Sequence, residues 1–170
     1  MELTGIYHRP ESEYAYLYKE GQVHIRIRTK KEDIEKIILH YGDPFIFLED
    51  SYEDVKEMVK VTSDALFDYW QVAVSVRFAR LQYLFELEDK KGQSILYGDK
   101  GFADNSPENL ALEGNGFKLP YIHEIDGCQV PDWVSKTIWY QIFPERFANG
   151  NAELSPEGAL DWDSSIRPKS

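Results

Sequence analysis

The chain has 170 residues and is acidic, with 30 Asp and Glu against 19 Lys and Arg and a formal net charge of −11. Nucleic acids and anionic membranes bind basic surfaces, so this balance argues against both as partners. The single cysteine, Cys128, excludes an internal disulfide, and one cysteine with four scattered histidines does not supply the ligand spacing of a zinc site.

Apolar and polar side chains alternate with a period of two along residues 23–28, which predicts a half-buried β-strand. Other β-branched or aromatic runs also predict strands, at residues 3–8, 14–18, 36–41, 69–78, 81–87 and 93–97. Residues 49–62 fit either a helical stripe or a strand, and we favour a loop followed by a strand. About eight short strands without strand–helix alternation predict an all-β protein, an antiparallel β-sandwich.

Residues 98–116 are rich in glycine and asparagine and predict a long surface loop. A further strand over residues 117–122 would close the sandwich, so we place the first domain at residues 1–122. The polar residues 123–133 then form a linker to residues 134–170.

β-branched and aromatic side chains fill residues 137–143, and Pro144 ends the run, which predicts a buried strand. A buried strand needs neighbours on both sides, yet few residues follow this one. We therefore interpret residues 134–170 as the truncated start of a second domain, with residues 151–170 poorly ordered. Without its neighbours, the predicted strand should fold back on the sandwich, pair with a second copy or be disordered.

Three motifs resemble one known family. They are P-D-W-V-S-K-T-I-W-Y-Q-I-F-P-E-R-F-A-N-G-N from residue 131, Y-G-D-P at residues 41–44 and L-F-D-Y-W-Q at residues 66–71. They are similar to the neopullulanase, cyclomaltodextrinase and maltogenic amylase group of glycoside hydrolase family 13. The resemblance implies an immunoglobulin-like β-sandwich, classed as carbohydrate-binding module family 34, followed by the first part of a catalytic (β/α)₈ barrel. A complete barrel needs about 250 residues, so most of it would lie outside this chain.

The resemblance also implies an activity for a longer parent protein. The parent would hydrolyse α-1,4-glucosidic bonds of cyclodextrins, pullulan or maltooligosaccharides with retention, using Asp and Glu residues on later barrel strands. None of those catalytic motifs matches this chain, so we assign no catalytic residue and expect the fragment to be inactive. The implied partners are an α-glucan or cyclodextrin, the missing barrel and a second copy, with the sandwich forming the dimer and narrowing the active-site cleft.

A calcium loop is common in this family after the first barrel strand, and it aligns here with the run that begins at Asn149. Asn149 matches the first ligand, whereas Asn151 stands where an aspartate is usual. Leu154 and Ser155 replace two further oxygen ligands. We therefore favour an ordinary polar turn and no cofactor in the fragment, and the resemblance implies calcium only for the full-length parent.

Flat aromatic side chains stack on sugar rings, and Trp70 is our candidate for such a platform because it opens a predicted strand. A tryptophan at a sandwich strand also commonly fills the core, and we leave both interpretations open. Other aromatic candidates are Trp133, Trp139, Trp162, Tyr14, Tyr16, Tyr18 and Tyr69. The acidic residues 49–54 are interpreted as a solvated loop.

Neither an export signal nor a stretch of about 18 apolar residues occurs in the chain, so we expect a cytoplasmic protein. Two alternatives to the amylase domain remain. One is a free-standing carbohydrate-binding module, which predicts saturable glucan binding. The other is a structural or adhesive immunoglobulin-like sandwich, which leaves the motif at residues 131–150 unexplained.

Overall fold

The structure is a computed structural model that describes residues 1–19, 21–46, 52–76, 78–112, 114–120, 122–123, 125, 130–143, 147–148 and 150–160. The chain divides into two compact units, Met1–Gln129 and Val130–Ser170. The first unit is rich in strands, and the second contains only short helical turns among its described residues.

The described residues of the first unit form ten antiparallel strands. They are β1 (Ala15–Lys19), β2 (Gln22–Lys30), β3 (Ile34–Gly42), β4 (Asp54–Glu57), β5 (Val59–Ser63), β6 (Phe67–Ser75), β7 (Leu81–Asp89), β8 (Ser94–Gly98), β9 (Gly101–Asp104) and β10 (Phe117–Leu119). Short 3-10 helices at Leu3–Gly5 and Ser12–Tyr14 precede them, and helix α1 (Pro107–Leu110) lies between β9 and β10.

The strands form two sheets. Sheet A has the order β1-β2-β6-β5, and sheet B has the order β4-β3-β7-β8-β9, with β10 paired to the start of β7. All pairings are antiparallel, which confirms the predicted all-β antiparallel sandwich.

The core lies between the two sheets because their strands alternate as the sequence predicts. In β2, Val23, Ile25 and Ile27 are fully buried, while the residues between them are only partly buried. Burying each such side chain stabilises the fold by about 1.5–3 kcal/mol. The same alternation turns His24 and Arg26 to the outer face of sheet A.

Residues 54–63 run along one edge of the sandwich, first as β4 in sheet B and then as β5 in sheet A. Met58, the residue between the two strands, is buried, and its N–H donates to the Ile37 carbonyl at 2.9 Å. Both strands are exposed along their whole length. The extended backbone agrees with the favoured strand for this segment and not with a helix, and residues 47–51 lie outside the described part of the chain.

Two predictions for the first unit are wrong. Residues 3–8 form no strand. Leu3–Gly5 is a 3-10 helix, and Tyr7 makes a single bridge to Arg28. The predicted loop at residues 98–116 contains β9 and α1. A tight hairpin pairs Gly98 with Gly101, and the Ser106 hydroxyl accepts the Asn109 N–H to begin the helix.

The second unit does not form the predicted strand. Residues 137–143 make no ladder, and their apolar side chains are exposed, with Ile138 at 97%. Pairing of this run with a second copy of the chain stays a prediction. A strand requires a hydrogen-bonding neighbour, and the described residues of this unit supply none. Ala152–Leu154 is a 3-10 helix, and residues 161–170 lie outside the described part.

Candidate functional site

A tight corner follows β3 at the Y-G-D-P motif. The Asp43 carboxylate accepts the Phe45 N–H at 2.8 Å, and the Asp43 carbonyl accepts the Ile46 N–H at 3.0 Å. Glu53 closes the corner from the other side, because its carboxylate accepts the Asp43 N–H. A Cβ atom at Gly42 would lie 3.0 Å from the Glu53 backbone nitrogen, so a larger residue there would require Glu53 to shift slightly. These contacts fix the backbone of the corner up to Phe45.

An ion pair anchors the corner to the start of β7. The Arg80 Nε lies 2.9 Å from both carboxylate oxygens of Asp43, whose residue is only 7% exposed. Burial opposes ionisation of Asp43, but hydrogen bonds from Arg80 and the Phe45 N–H, with the charge of Arg80, lower the pKa of that carboxyl overall. The guanidinium carbon of Arg80 also lies 4.7 Å from the centre of the Phe45 ring.

Two cavities flank Arg80. The more polar one has a volume of about 360 Å³ and is lined by Tyr41, Gly42, Asp43, Glu53, Asp54, Ser75, Val76, Arg80 and Leu81. The more apolar one has a volume of about 460 Å³ and is lined by Pro44, Phe45, Arg80, Leu81, Lys118, Leu119 and Pro120. Phe45 stands at the rim of the second cavity and is 79% exposed.

The chemistry of this corner favours binding over catalysis. The Tyr41 hydroxyl donates to the Asp54 carboxylate at 2.7 Å, and burial together with Asp54 raises the pKa of Tyr41 to about 12. This phenol is therefore protonated at neutral pH and is no general base. Because Arg80 holds Asp43 in an ion pair, that carboxylate is not a free nucleophile either. The accessible feature of this corner is the exposed ring of Phe45 beside the more apolar cavity.

Trp70, the predicted sugar platform, lies in the core. It is 6% exposed, and its Nε1 donates to the Thr29 hydroxyl at 3.0 Å. Lys60 on the neighbouring β5 covers the ring, with Nζ 5.1 Å from its centre. Of the two interpretations left open above, this burial favours core packing, because a sugar reaches the ring only if β5 moves.

The remaining aromatic candidates are dispersed. Tyr14 is buried, Tyr16 and Tyr69 are half-buried, and Tyr18 is exposed on the outer face of sheet A. Trp133 and Trp139 lie 5.6 Å apart in the second unit, and Trp162 is outside the described residues.

The structure describes only part of the predicted calcium loop. Asn149 lies outside the described residues, and the Asn151 side-chain oxygen accepts the Glu153 N–H at 3.0 Å. Calcium requires about six to eight oxygen ligands. In the described part of the chain, no three His, Cys, Asp or Glu side chains are grouped to hold a metal ion.

Two pairs of residues have roles at this corner that the sequence does not predict. Arg80 and Phe45 were not singled out, although the Y-G-D-P turn marked the corner that brings them together. Glu53 and Asp54 were interpreted as members of a solvated loop, and the structure uses their carboxylates to accept the Asp43 N–H and the Tyr41 hydroxyl.

His8 is buried at the end of the core. Its Nδ1–H donates to the Arg26 carbonyl at 2.7 Å, and its Nε2 accepts the Tyr83 hydroxyl at 2.8 Å. Phe85 and Phe117 pack edge-on against the ring, with centres 4.8 and 4.7 Å away. Burial lowers the pKa of His8 to about 4, although the bond to Arg26 acts in the opposite direction. The ring is therefore neutral at pH 7 and has a structural role.

Two antiparallel sheets around one core define an immunoglobulin-like β-sandwich. Residues 1–123 match the family described as "Alpha amylase, N-terminal ig-like domain", and the chain belongs to that family. Among the described residues, no helix has the length and apolar character needed to cross a bilayer.

Several curated relatives resemble nearly the whole chain. A maltogenic alpha-amylase from Bacillus acidopullulyticus is 46% identical over 94% of this chain and 27% of its own length. A cyclomaltodextrinase from Geobacillus thermopakistaniensis is 41% identical over 96% of this chain and 28% of its own length. Neopullulanase 2 from Thermoactinomyces vulgaris is 32% identical over 99% of this chain and 28% of its own length. The chain thus spans little more than a quarter of the length of these three relatives.

Solved structures agree with the sequence relatives. A cyclomaltodextrinase superposes with a TM-score of 0.69 and 36% identity, over 98% of this chain and 27% of that chain. The type III pullulan hydrolase from Thermococcus kodakarensis superposes with a TM-score of 0.52 and 20% identity, over 86% of this chain and 21% of that chain. The second likeness concerns the fold alone.

Proposed function

We propose that this chain is the N-terminal part of a cytoplasmic family 13 glycoside hydrolase. The parent hydrolyses α-1,4-glucosidic bonds of cyclodextrins, pullulan or maltooligosaccharides with retention of configuration. The supporting observation is that the similarity to amylases continues through residues 130–160, beyond the sandwich, while the chain covers 27–28% of those relatives. Calcium remains a prediction for the longer parent only.

The 170-residue chain is expected to be catalytically inert, because retaining hydrolysis needs two carboxyl groups about 5–5.5 Å apart across the sugar bond, and the matching motifs are absent. Incubation with β-cyclodextrin and a reducing-sugar assay should show no release above buffer. The same chain extended by its natural downstream sequence should release α-configured products, detected by NMR. Reducing sugar from the short chain, or no activity in the extended one, contradicts the proposal.

For the sandwich itself, we propose the role of a dimer interface that narrows the cleft of the partner subunit. The support is the exposed Phe45, which the Asp43–Arg80 pair holds at the rim of an apolar cavity with Leu119 and Pro120. Large aromatic residues on a rigid support are typical centres of protein interfaces, and leaving such a ring in water is unfavourable. A second copy of the chain is the occupant we assign to this surface.

Replacing Phe45 by alanine is expected to raise the dimer dissociation constant by about tenfold or more, because an interface aromatic of this kind contributes about 2 kcal/mol. Sedimentation equilibrium over a wide concentration range measures the change. Phe102→Ala is the matched control, since Phe102 is also an exposed phenylalanine but lies on β9 of sheet B. A chain that stays monomeric, or equal effects of both variants, argues against this interface.

A further inference from the structure

Two arginine side chains on the outer face of sheet A form no ion pair. Arg26 and Arg28 both lie on β2, and because they are two residues apart they project from the same face, with their bases about 7 Å apart. In the described part of the chain, no carboxylate forms an ion pair with either guanidinium group, whereas Arg9 and Arg80 are both paired. The chain has 30 acidic and 19 basic residues, so two neighbouring unpaired arginines run against its charge balance.

Two aromatic rings hold the guanidinium group of Arg28 in place. Its central carbon lies 4.1 Å from the centre of the Phe67 ring and 5.2 Å from the centre of the Tyr7 ring. Tyr7 and Arg28 also exchange two backbone hydrogen bonds, each 2.9 Å long. The N–H groups of a guanidinium lie in its plane, so stacked rings leave these groups as the contact points for a ligand.

The Arg28 Nε–H is a buried donor without an acceptor. Among the residues that the structure describes, none accepts a hydrogen bond from it. The Nε of Arg9 shares this property, but the carboxylates of Glu11 and Glu13 contact the other two nitrogens of that guanidinium. A charged donor that is removed from water and left unpaired is unfavourable, so Arg28 is suited to an acceptor from outside the chain.

Two tyrosines lie close to this guanidinium. Burial raises the pKa of Tyr14, and the nearby charge of Arg28 acts in the opposite direction, so the Tyr14 hydroxyl is a protonated donor at neutral pH. Tyr69 lies opposite Arg28 in the sheet register, and its hydroxyl donates to the Asp64 carboxylate at 2.9 Å. Asp64 also accepts two backbone N–H groups at 2.7 Å. This carboxylate is therefore bound elsewhere and does not serve as the counter-ion of Arg28.

Unpaired guanidinium groups beside a hydroxyl donor match an oxyanion, because a guanidinium binds two oxygens through parallel N–H bonds. Two positive charges attract a doubly charged ion more strongly than a singly charged one. We propose that Arg28, together with Arg26 and Tyr14, forms a binding site for a phosphate dianion on the outer face of sheet A. The site does not involve the Phe45 corner, and it is independent of the reaction assigned to the parent protein.

The test is an NMR titration of the 170-residue chain with sodium phosphate at about pH 8, where phosphate is a dianion. Sodium chloride holds the ionic strength constant, so that screening does not change during the titration. The Arg28 Nε–H signal and the amide signals of Tyr7 and Arg28 should shift to saturation, with a dissociation constant on the order of 1 mM. Acetate, which carries one charge, should bind about tenfold more weakly. Phosphate shifts that do not saturate, or that are confined to β8 and β9, overturn the proposal.

Two substitutions of Arg28 separate the guanidinium from its charge. Arg28→Lys keeps the charge but loses the paired N–H groups, and it should weaken phosphate binding by about tenfold. Arg28→Gln should abolish saturation. The matched control is Lys100→Gln, which removes an exposed cation from the turn between β8 and β9 and should leave phosphate binding unchanged. Equal phosphate affinity in Arg28→Lys and the unchanged chain overturns the proposal, and this comparison remains valid if Arg28→Gln does not fold.

Discussion

Replacing Arg80 by alanine is expected to destabilise the sandwich by about 1–3 kcal/mol, because the Asp43 carboxylate loses its charged partner, although Arg80 itself is partly exposed. The substitution leaves the Asp43 carboxylate in its buried position without the guanidinium that holds it, and an uncompensated buried charge is far more costly than a lost surface contact. It also removes the cation beside the Phe45 ring. Urea denaturation at pH 7, followed by circular dichroism, measures the change in the free energy of unfolding.

An exposed ion pair of the same sandwich provides the control. Lys36 and Glu57 approach to 3.8 Å with both side chains in solvent, so Lys36→Ala should change stability by less than about 0.5 kcal/mol. The double variant Arg80→Ala with Asp43→Ala should be more stable than Arg80→Ala alone, since no charge is then left buried. If Arg80→Ala costs no more than Lys36→Ala, the corner is not held by this pair.

Lowering the pH from 7 to 4 is expected to remove about 3 kcal/mol of stability through His8 alone. Burial lowers the pKa of His8 to about 4 in the folded chain, whereas an unfolded histidine titrates near 6.5. Between these two values the unfolded state binds one more proton than the folded state. The contribution is therefore fully present above pH 6.5 and is lost as the pH falls towards 4.

The pH dependence of unfolding in urea tests this assignment. Between pH 7 and pH 5, His8→Asn should lose much less stability than the unchanged chain, whatever its stability at pH 7. His24→Gln should keep most of the original dependence of the unfolding free energy on pH, because His24 is only half-buried. The carboxyls of Asp64 and Asp68 also have lowered pKa values, and their effect belongs below about pH 4. If the unfolding free energy of His8→Asn depends on pH as that of the unchanged chain does, the prediction is wrong.

Local sequence patterns predicted the central strands of sheet A because β2 and β6 alternate between buried and partly exposed residues. Val23, Ile25 and Ile27 marked β2, and the structure buries all three. The same reasoning gave a strand at residues 137–143, where the residue pattern is strong but the described unit offers no pairing partner. Strand propensity describes a preference for a pleated surface, and a partner has to be present for that preference to be realised.

Two contacts could not be predicted from the sequence: the ion pair at the corner and the hydrogen bond of the buried histidine. Arg80 and Asp43 are 37 residues apart, and His8 and Tyr83 are 75 apart, so no local periodicity links them. Trp70 shows that a local sequence can also fit two different roles for one residue. Its aromatic character suited a sugar platform as well as a core position, and only the register with Ile27 on β2 settled its burial.

The edge formed by β4 and β5 has a consequence for solubility during folding. Val55, Val59 and Val61 are exposed there, a composition that invites intermolecular strand addition and fibril growth. Lys56 and Lys60 interrupt the valines. Lys56 of sheet B donates to the Ala73 carbonyl of sheet A, and Lys60 pairs with the Asp68 carboxylate of its own sheet. These two lysines therefore act as gatekeepers, since an incoming strand would have to desolvate both ammonium groups before it could extend either sheet.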